Sequence, residues 1–297
     1  MDTSFIHGVV PPVITPVDAN ECVEEQGLRR VVEHVIEGGV HGVLALGSNG
    51  EFFGLDHEEQ QRAVTIIIDQ VKGRVPVYMG IGAITTKECV KLARLAENLK
   101  AQAITILPPM FLSLNEDELY QHFLKISEST SLPVLLYNNP DRVGNNISAN
   151  LLERLTDIPN IVGVKDSSGD LTLTAEYIRR TRDKGFKVMA GRDVMILGSL
   201  AYGAVGCVAS TANIVPALVV EIYEKFKAGD LQGALEAQFK LAPLRMAFNL
   251  GSFPVATKDA ANLIGLEVGN SIKPNTTCSE THLDKLKDIL KDMGVLY

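Results

Sequence analysis

Eight short apolar runs punctuate the chain, each followed by residues with helical spacing. They are Val9–Ile14, Gly42–Leu46, Val75–Ile81, Ala103–Leu107, Val134–Tyr137, Ile161–Lys165, Lys187–Ala190 and Ala204–Ala209. Most are continuously apolar rather than alternating, the pattern of strands buried on both faces of a parallel sheet. Between them lie helical stretches such as "LRRVVEHVIEGG", with Leu28, Val31, Val32, Val35 and Ile36 on one face, and "HEEQQRAVTIIIDQVKG", where Asp56 is placed to cap the start. "TKECVKLARLAENLK" and "EDELYQHFLKISEST" read the same way, and Ser148 is placed to cap "ISANLLERL". The unit recurs roughly every 25 to 30 residues, about the size of a βα unit, with no long linker. Eight repeats predict a closed (β/α)8 barrel, the TIM barrel of the α/β class, rather than an open doubly wound sheet. No G-x-G-x-x-G follows the first run, which argues against a dinucleotide fold. Past the eighth run, helical stretches over 214–248 (broken near Gly229-Asp230), 254–266 and 280–295 predict a C-terminal helical appendage. The expected division is a barrel over 1–225 and a helical extension over 226–297 packed on it.

Charge and cysteine content narrow the function. A formal net charge of −8, with no run of Lys and Arg, argues against nucleic acid or an anionic membrane as partner. Cys22, Cys89, Cys207 and Cys278 form no Cys-x-x-Cys pair, so a disulfide framework or zinc site is not expected. The six histidines, His7, His34, His41, His57, His122 and His282, do not fall on strand ends together with carboxylates, and no metal is expected. The start "MDTSFIHGVVPP" has no signal-peptide pattern, and no stretch approaches the roughly 20 apolar residues of a membrane span. These features predict a cytoplasmic protein, and no cofactor is expected.

In a barrel of this kind the chemistry lies at the carboxyl ends of the strands. The run "NIVGVKDSSG" ends on Lys165, which must be paired, reach solvent or lose its proton. One reading is a structural ion pair or a snorkelling rim residue. The other is a Schiff-base lysine: a desolvated amine sheds its proton more readily, attacks a ketone, and the resulting iminium stabilises a neighbouring carbanion. Tyr137 ends the preceding strand and is either amphipathic core or the proton relay that imine formation needs. "GSNGE" after the second run is either a tight turn, with Gly47 and Gly50 permitting positive φ, or a cradle in which backbone amides and the Ser48 hydroxyl hold a carboxylate. In either case Glu51 is expected to anchor the loop rather than to react. Lys258, in "GSFPVATK", is expected to be structural.

With "GVVPPVITP", "GSNGEF", "LLYNNPDRVG", "IVGVKDSSGD" and "GAVGCVASTANIVP" in this order, nearly the whole chain resembles the dihydrodipicolinate synthase / N-acetylneuraminate lyase family of Schiff-base aldolases. The resemblance implies a commonly tetrameric (β/α)8 barrel in which Lys165 forms an imine with pyruvate and Tyr137 is the catalytic tyrosine. By the same match, Ser48 and Asn49 occupy paired hydroxyl positions, and Val208 lies near bound pyruvate. Arg142 in "PDRVG" matches an arginine that binds the carboxylate of aspartate semialdehyde in the synthases. Gly191 and Arg192, in "AGRDVM", fall on a loop where related sugar-acid lyases bind substrate hydroxyls. Asp193 beside them is a candidate N-cap.

Two departures stand out. Asn49 replaces a second threonine, and Phe111 stands where the synthases place a tyrosine lent across a subunit interface. Without those hydroxyls, a synthase proton relay needs another donor. The leading expectation is therefore a pyruvate-dependent carbon–carbon lyase acting on a 4-hydroxy-2-oxo or 2-keto-3-deoxy acid, with an aldehyde as the second partner. The alternatives are dihydrodipicolinate synthase itself, a keto-deoxy acid dehydratase, and a non-catalytic 2-oxo-acid sensor. The resemblance also implies a homo-oligomer, tetramer or dimer.

Overall fold

The structure is a computed structural model that describes residues 1–296. Eight parallel strands follow one another in space as they do in sequence: β1 Gly8–Val9, β2 Val43–Ala45, β3 Val77–Ile81, β4 Ala103–Ile106, β5 Val134–Asn138, β6 Ile161–Asp166, β7 Lys187–Ala190 and β8 Gly206–Cys207. The ladder order runs from β2 through β8 to β1. The remaining seam closes through the isolated bridge Pro12↔Leu44, with Leu44 N donating to Pro11 O at 2.9 Å and Val13 N donating to Leu44 O at 3.0 Å. This is the (β/α)8 barrel that the sequence predicts. The expected first strand, Val9–Ile14, keeps a regular ladder only over Gly8–Val9 because Pro11 and Pro12 have no N–H to donate. Asn213, beyond β8, makes up part of the loss: its amide donates to Pro12 O at 3.0 Å and its carbonyl accepts from Ile14 N at 3.1 Å.

Caps and breakers set the helices much as the sequence reads. Asp56 accepts from Glu59 N at 2.9 Å and opens His57–Val71, and Ser148 accepts from Leu151 N at 3.0 Å and opens Ala149–Leu155. The long C-terminal stretch breaks where expected. Pro216–Lys227 ends before Gly229 at φ +83°, and Asp230 caps Leu231–Ala247 through Gly233 N. Val255–Leu263 and Glu280–Asp292 complete the chain's helices. The expected division at 225 falls inside Pro216–Lys227.

Two apolar layers result. Ile6, Val10, Leu44, Tyr78, Ala103, Leu135, Met189 and Val208 fill the barrel interior, while a larger layer joins the outer strand faces to the helices. Side chains alternate along each strand, so the parity of Leu135 carries Tyr137 inward two residues later. Tyr137 and Lys165 are register partners on β5 and β6, which puts both side chains on the same level at the carboxyl mouth.

Candidate active site

Lys165 is 3 % exposed, and its Nζ lies 3.8 Å from the centroid of the Tyr137 ring. No carboxylate reaches ion-pair distance of it among the described residues. It is neither ion-paired nor extended into solvent, and it hydrogen-bonds the Tyr137 phenol instead. The nitrogen faces a narrow cavity of about 60 Å³, lined also by Pro12, Asn49, Asn139, Ser167 and Val208.

Tyr137 is held from two sides. Asn139 donates its amide to the phenol oxygen at 2.9 Å, and Ser48 hydrogen-bonds the same group. Burial pushes the phenol up, but the adjacent Lys165 charge and the hydrogen bonds from Ser48, Asn139 and Lys165 outweigh it, so the net direction is down. A phenol lowered in this way gives up its proton more readily than a free one. Asn139 was not anticipated. It follows the strand in "YNNPDRVG", and its spacing carries no signal that separates it from an ordinary turn residue.

The "GSNGE" segment is a single 3-10 turn, Ser48–Gly50. Its glycines do not supply positive φ, contrary to expectation: Gly47 sits at −69°, and the left-handed positions are Leu46 and Glu51, both at φ +52°. The glycines answer to crowding instead. A Cβ on Gly50 would lie 3.0 Å from Val13 O, and one on Gly47 would lie 3.0 Å from Pro12 Cβ. Glu51 is held in its left-handed conformation by its buried side chain, which accepts from Ile272 N at 2.9 Å and lies 2.5 Å from Lys258 Nζ. Both members of that pair are at most 1 % exposed. Burial pushes the Lys258 ammonium down, and Glu51 opposes this. So Glu51 anchors the loop from behind, and Ser48 and Asn49 are presented in front. Asn49 is buried, lines the cavity, and its carbonyl oxygen has no donor. Such an atom accepts from a water or from a ligand that enters the cavity.

Loops after β6 and β7 form the opposite wall. Gly191 N donates to Asp166 O at 2.7 Å, and a Cβ there would meet Ser167 Oγ at 2.0 Å, so only glycine fits. Asp166 accepts from Thr174 Oγ1 at 2.6 Å and Ser168 N at 3.1 Å, which shapes the turn after Lys165. Arg192 lines the cavity, but its Nε donates to Ser167 O at 2.8 Å and its guanidinium pairs with Asp141. Asp193 does not cap the helix that follows it. It is buried and accepts from Thr211 N and Thr211 Oγ1, both at 2.7 Å, tying the β7 loop to the turn after β8. Arg142 also lines the cavity, with its guanidinium 4.5 Å above the Phe253 ring.

Phe111 is the exception among the sequence-derived residues. It is 90 % exposed at φ +73° and does not line the cavity around Lys165. The left-handed turn throws its ring outward, and Met110 lines a neighbouring chamber of about 230 Å³ together with Ser48, Phe52, Phe53 and Arg142. Besides Asn139, sequence reasoning missed Arg245, on Leu231–Ala247, and Phe253, in the turn before Val255–Leu263, where no strand-end rule points to them.

The carboxyl mouth of a (β/α)8 barrel is where this fold places its active sites, and the buried Lys165 nitrogen opens onto it. Comparison with known proteins agrees. The model of the Dihydrodipicolinate synthetase family matches residues 5–293. A 4-hydroxy-tetrahydrodipicolinate synthase of Methanopyrus kandleri is 37 % identical over 98 % of this chain and 97 % of its own. Among solved structures, dihydrodipicolinate synthase from Thermotoga maritima superposes with a TM-score of 0.96 at 29 % identity, covering 98 % of this chain and 100 % of its own. A prophage protein of the dihydrodipicolinic acid synthase family from E. coli K12, solved in complex with pyruvate, gives 0.94 at 28 %, covering 98 % and 99 %. The chain belongs to the dihydrodipicolinate synthetase family, and it is an enzyme of the Schiff-base lyase class.

Among the described residues, no group of three or more His, Cys, Asp or Glu side chains converges to hold a metal ion. Among the same residues, no helix is long and apolar enough to cross a membrane.

Proposed function

We propose that Lys165 Nζ attacks C2 of pyruvate and that the enzyme uses the imine to make or cleave a carbon–carbon bond. Attack gives a carbinolamine. Its hydroxyl leaves as water once Tyr137 has delivered a proton, and the C=N bond forms. Loss of a C3 proton then gives an enamine, whose carbon attacks an aldehyde. The reverse sequence cleaves a 4-hydroxy-2-oxo or 2-keto-3-deoxy acid into pyruvate and aldehyde. Hydrolysis of the imine frees the lysine. The Ser48 and Asn49 turn, with Val208 opposite, receives the pyruvate, and Arg142 with the Gly191-Arg192 loop receives the second partner.

The observation that carries this reading is the buried Lys165 nitrogen, free of any carboxylate and 3.8 Å from the Tyr137 ring. Incubation with pyruvate and borohydride tests it. A reduced pyruvyl adduct is expected on Lys165, and its absence, or its presence on another lysine, would refute the assignment.

A second reading is condensation of pyruvate with aspartate semialdehyde, the synthase activity named for the relatives. It is favoured by the unpaired Arg142 guanidinium and opposed by Asn49 and Phe111, which lack relay hydroxyls. Relative kcat/KM for the semialdehyde against hydroxyaldehydes separates the two.

The same reading includes a homo-oligomer, dimer or tetramer. Phe53, Ile84, Phe111 and Leu112 are exposed on the loops after β2, β3 and β4, one continuous rim of the mouth. It also includes a cytoplasmic location, supported by four unpaired cysteines, and a C-terminal extension over 226–297 that serves the barrel by closing over its mouth.

A further inference from the structure

We propose that Arg245 is a specificity-determining residue, which takes an anionic group, carboxylate or phosphate, at the end of the acceptor aldehyde remote from its carbonyl. The inference rests on the imine reading and names the class of its second substrate.

Charge compensation points to this residue. Nine of the twelve arginines pair with carboxylates, and Arg94, Arg142 and Arg245 do not among the described residues. Two of those three line the one cavity that holds Lys165. Arg245 projects from Leu231–Ala247, and its guanidinium has only a long contact, Nη1 to Asn249 Oδ1 at 3.5 Å. Arg142 is held above Phe253 without an acceptor for its five donors among the described residues.

Two other charged groups at the cavity already have partners. Arg192 is taken up by Asp141 and Ser167, and Asp193 by Thr211 and Ser210. A chain with net charge −8 thus gathers Lys165, Arg142, Arg192 and Arg245 around one cavity against the single lining carboxylate of Asp193. Pyruvate brings one carboxylate, which the Ser48 and Asn49 turn receives at the inner end. It leaves the two outer guanidiniums uncompensated. A second anion is what they fit, since charge-assisted, forked hydrogen bonds from arginine are strong and geometrically selective for planar carboxylate and for phosphate. Delivery of one guanidinium by the β5 loop and the other by a C-terminal helix sets them on different walls of the opening, able to grip such a group between them.

The experiment measures kcat/KM with saturating pyruvate for succinic semialdehyde, glyceraldehyde 3-phosphate and neutral glyceraldehyde, in the wild type, Arg245→Met and Arg245→Lys. The wild type should prefer an anionic aldehyde, and the preferred one tells carboxylate from phosphate. Arg245→Met should lower the anionic-to-neutral ratio by about 10-fold or more, with partial recovery in Arg245→Lys. A ratio that is unchanged, or a wild type without preference for either anion, overturns the proposal. Borohydride trapping of pyruvate in the same variants keeps the two claims apart. An intact Lys165 adduct with an unchanged ratio sinks the Arg245 assignment alone, whereas no adduct in the wild type sinks the imine reading and this inference with it.

Discussion

Tyr137 feels opposed influences, and its role depends on which one prevails. A phenol sealed in an apolar barrel would hold its proton tightly, but Lys165, Ser48 and Asn139 turn the balance the other way. Replacing Tyr137 with Phe removes the proposed proton relay while keeping the ring that packs against Lys165. Imine formation, followed by stopped-flow trapping, should slow by about 10²-fold or more. An unchanged rate would pass the relay to another donor. Lys165 and Tyr137 were legible in the sequence because strand-end position and alternation fix where their side chains point. Asn139 was not, because an amide two residues past an inward tyrosine looks the same whether it orients a phenol or closes a turn. Phe111 shows the opposite limit. Its alignment with a functional position is clear, but the left-handed backbone there sends the ring away from its own site.

Between elements, the helices Thr86–Asn98 and Glu116–Ser127 meet around His122, which is buried and shares a hydrogen bond with Thr86 Oγ1 at 2.9 Å. Burial holds its imidazole down to about 4. A histidine with a lowered folded-state value binds fewer protons folded than unfolded. Its contribution to stability is complete above the unfolded value of about 6.5 and is lost as pH falls towards 4. The expected loss over that window is ~3 kcal/mol. Urea unfolding at pH 7 and pH 4 should show this component, and His122→Phe should flatten it. An equal slope in the variant would place the pH dependence elsewhere. The sequence places His122 in a helix and suggests a surface or packing role. Its burial depends on how closely the two helices approach.

For the whole molecule, the Glu51–Lys258 pair joins the loop after β2 to the helix Val255–Leu263, across 207 residues of chain (258 minus 51). Because both groups are withdrawn from water, removing one strands the other. Lys258→Met should destabilise by about 3–5 kcal/mol and also raise KM for pyruvate, because the Ser48–Asn49 turn loses its anchor. The double change Glu51→Gln with Lys258→Met should recover much of the stability. A single variant with unaltered unfolding midpoint would show that the pair contributes nothing to tying the C-terminal helices to the mouth. The C-terminal segment also brings Arg245, from Leu231–Ala247, and Phe253, from the turn before Val255–Leu263, to the cavity lining.

The eight-fold alternation of apolar runs and helical stretches, the caps that start the helices and the inward parity of Tyr137 and Lys165 all follow from local spacing and are written in the sequence. Ladder length at β1, the reason for each glycine in the Ser48 turn, the partner of Glu51 and the two unpaired guanidiniums at the mouth were decided only when distant segments came together. The physical reason is that strand and helix periodicity is a short-range property of the chain. Charge compensation and close contact are properties of space, and residues 49, 165 and 245 become neighbours only in the folded barrel.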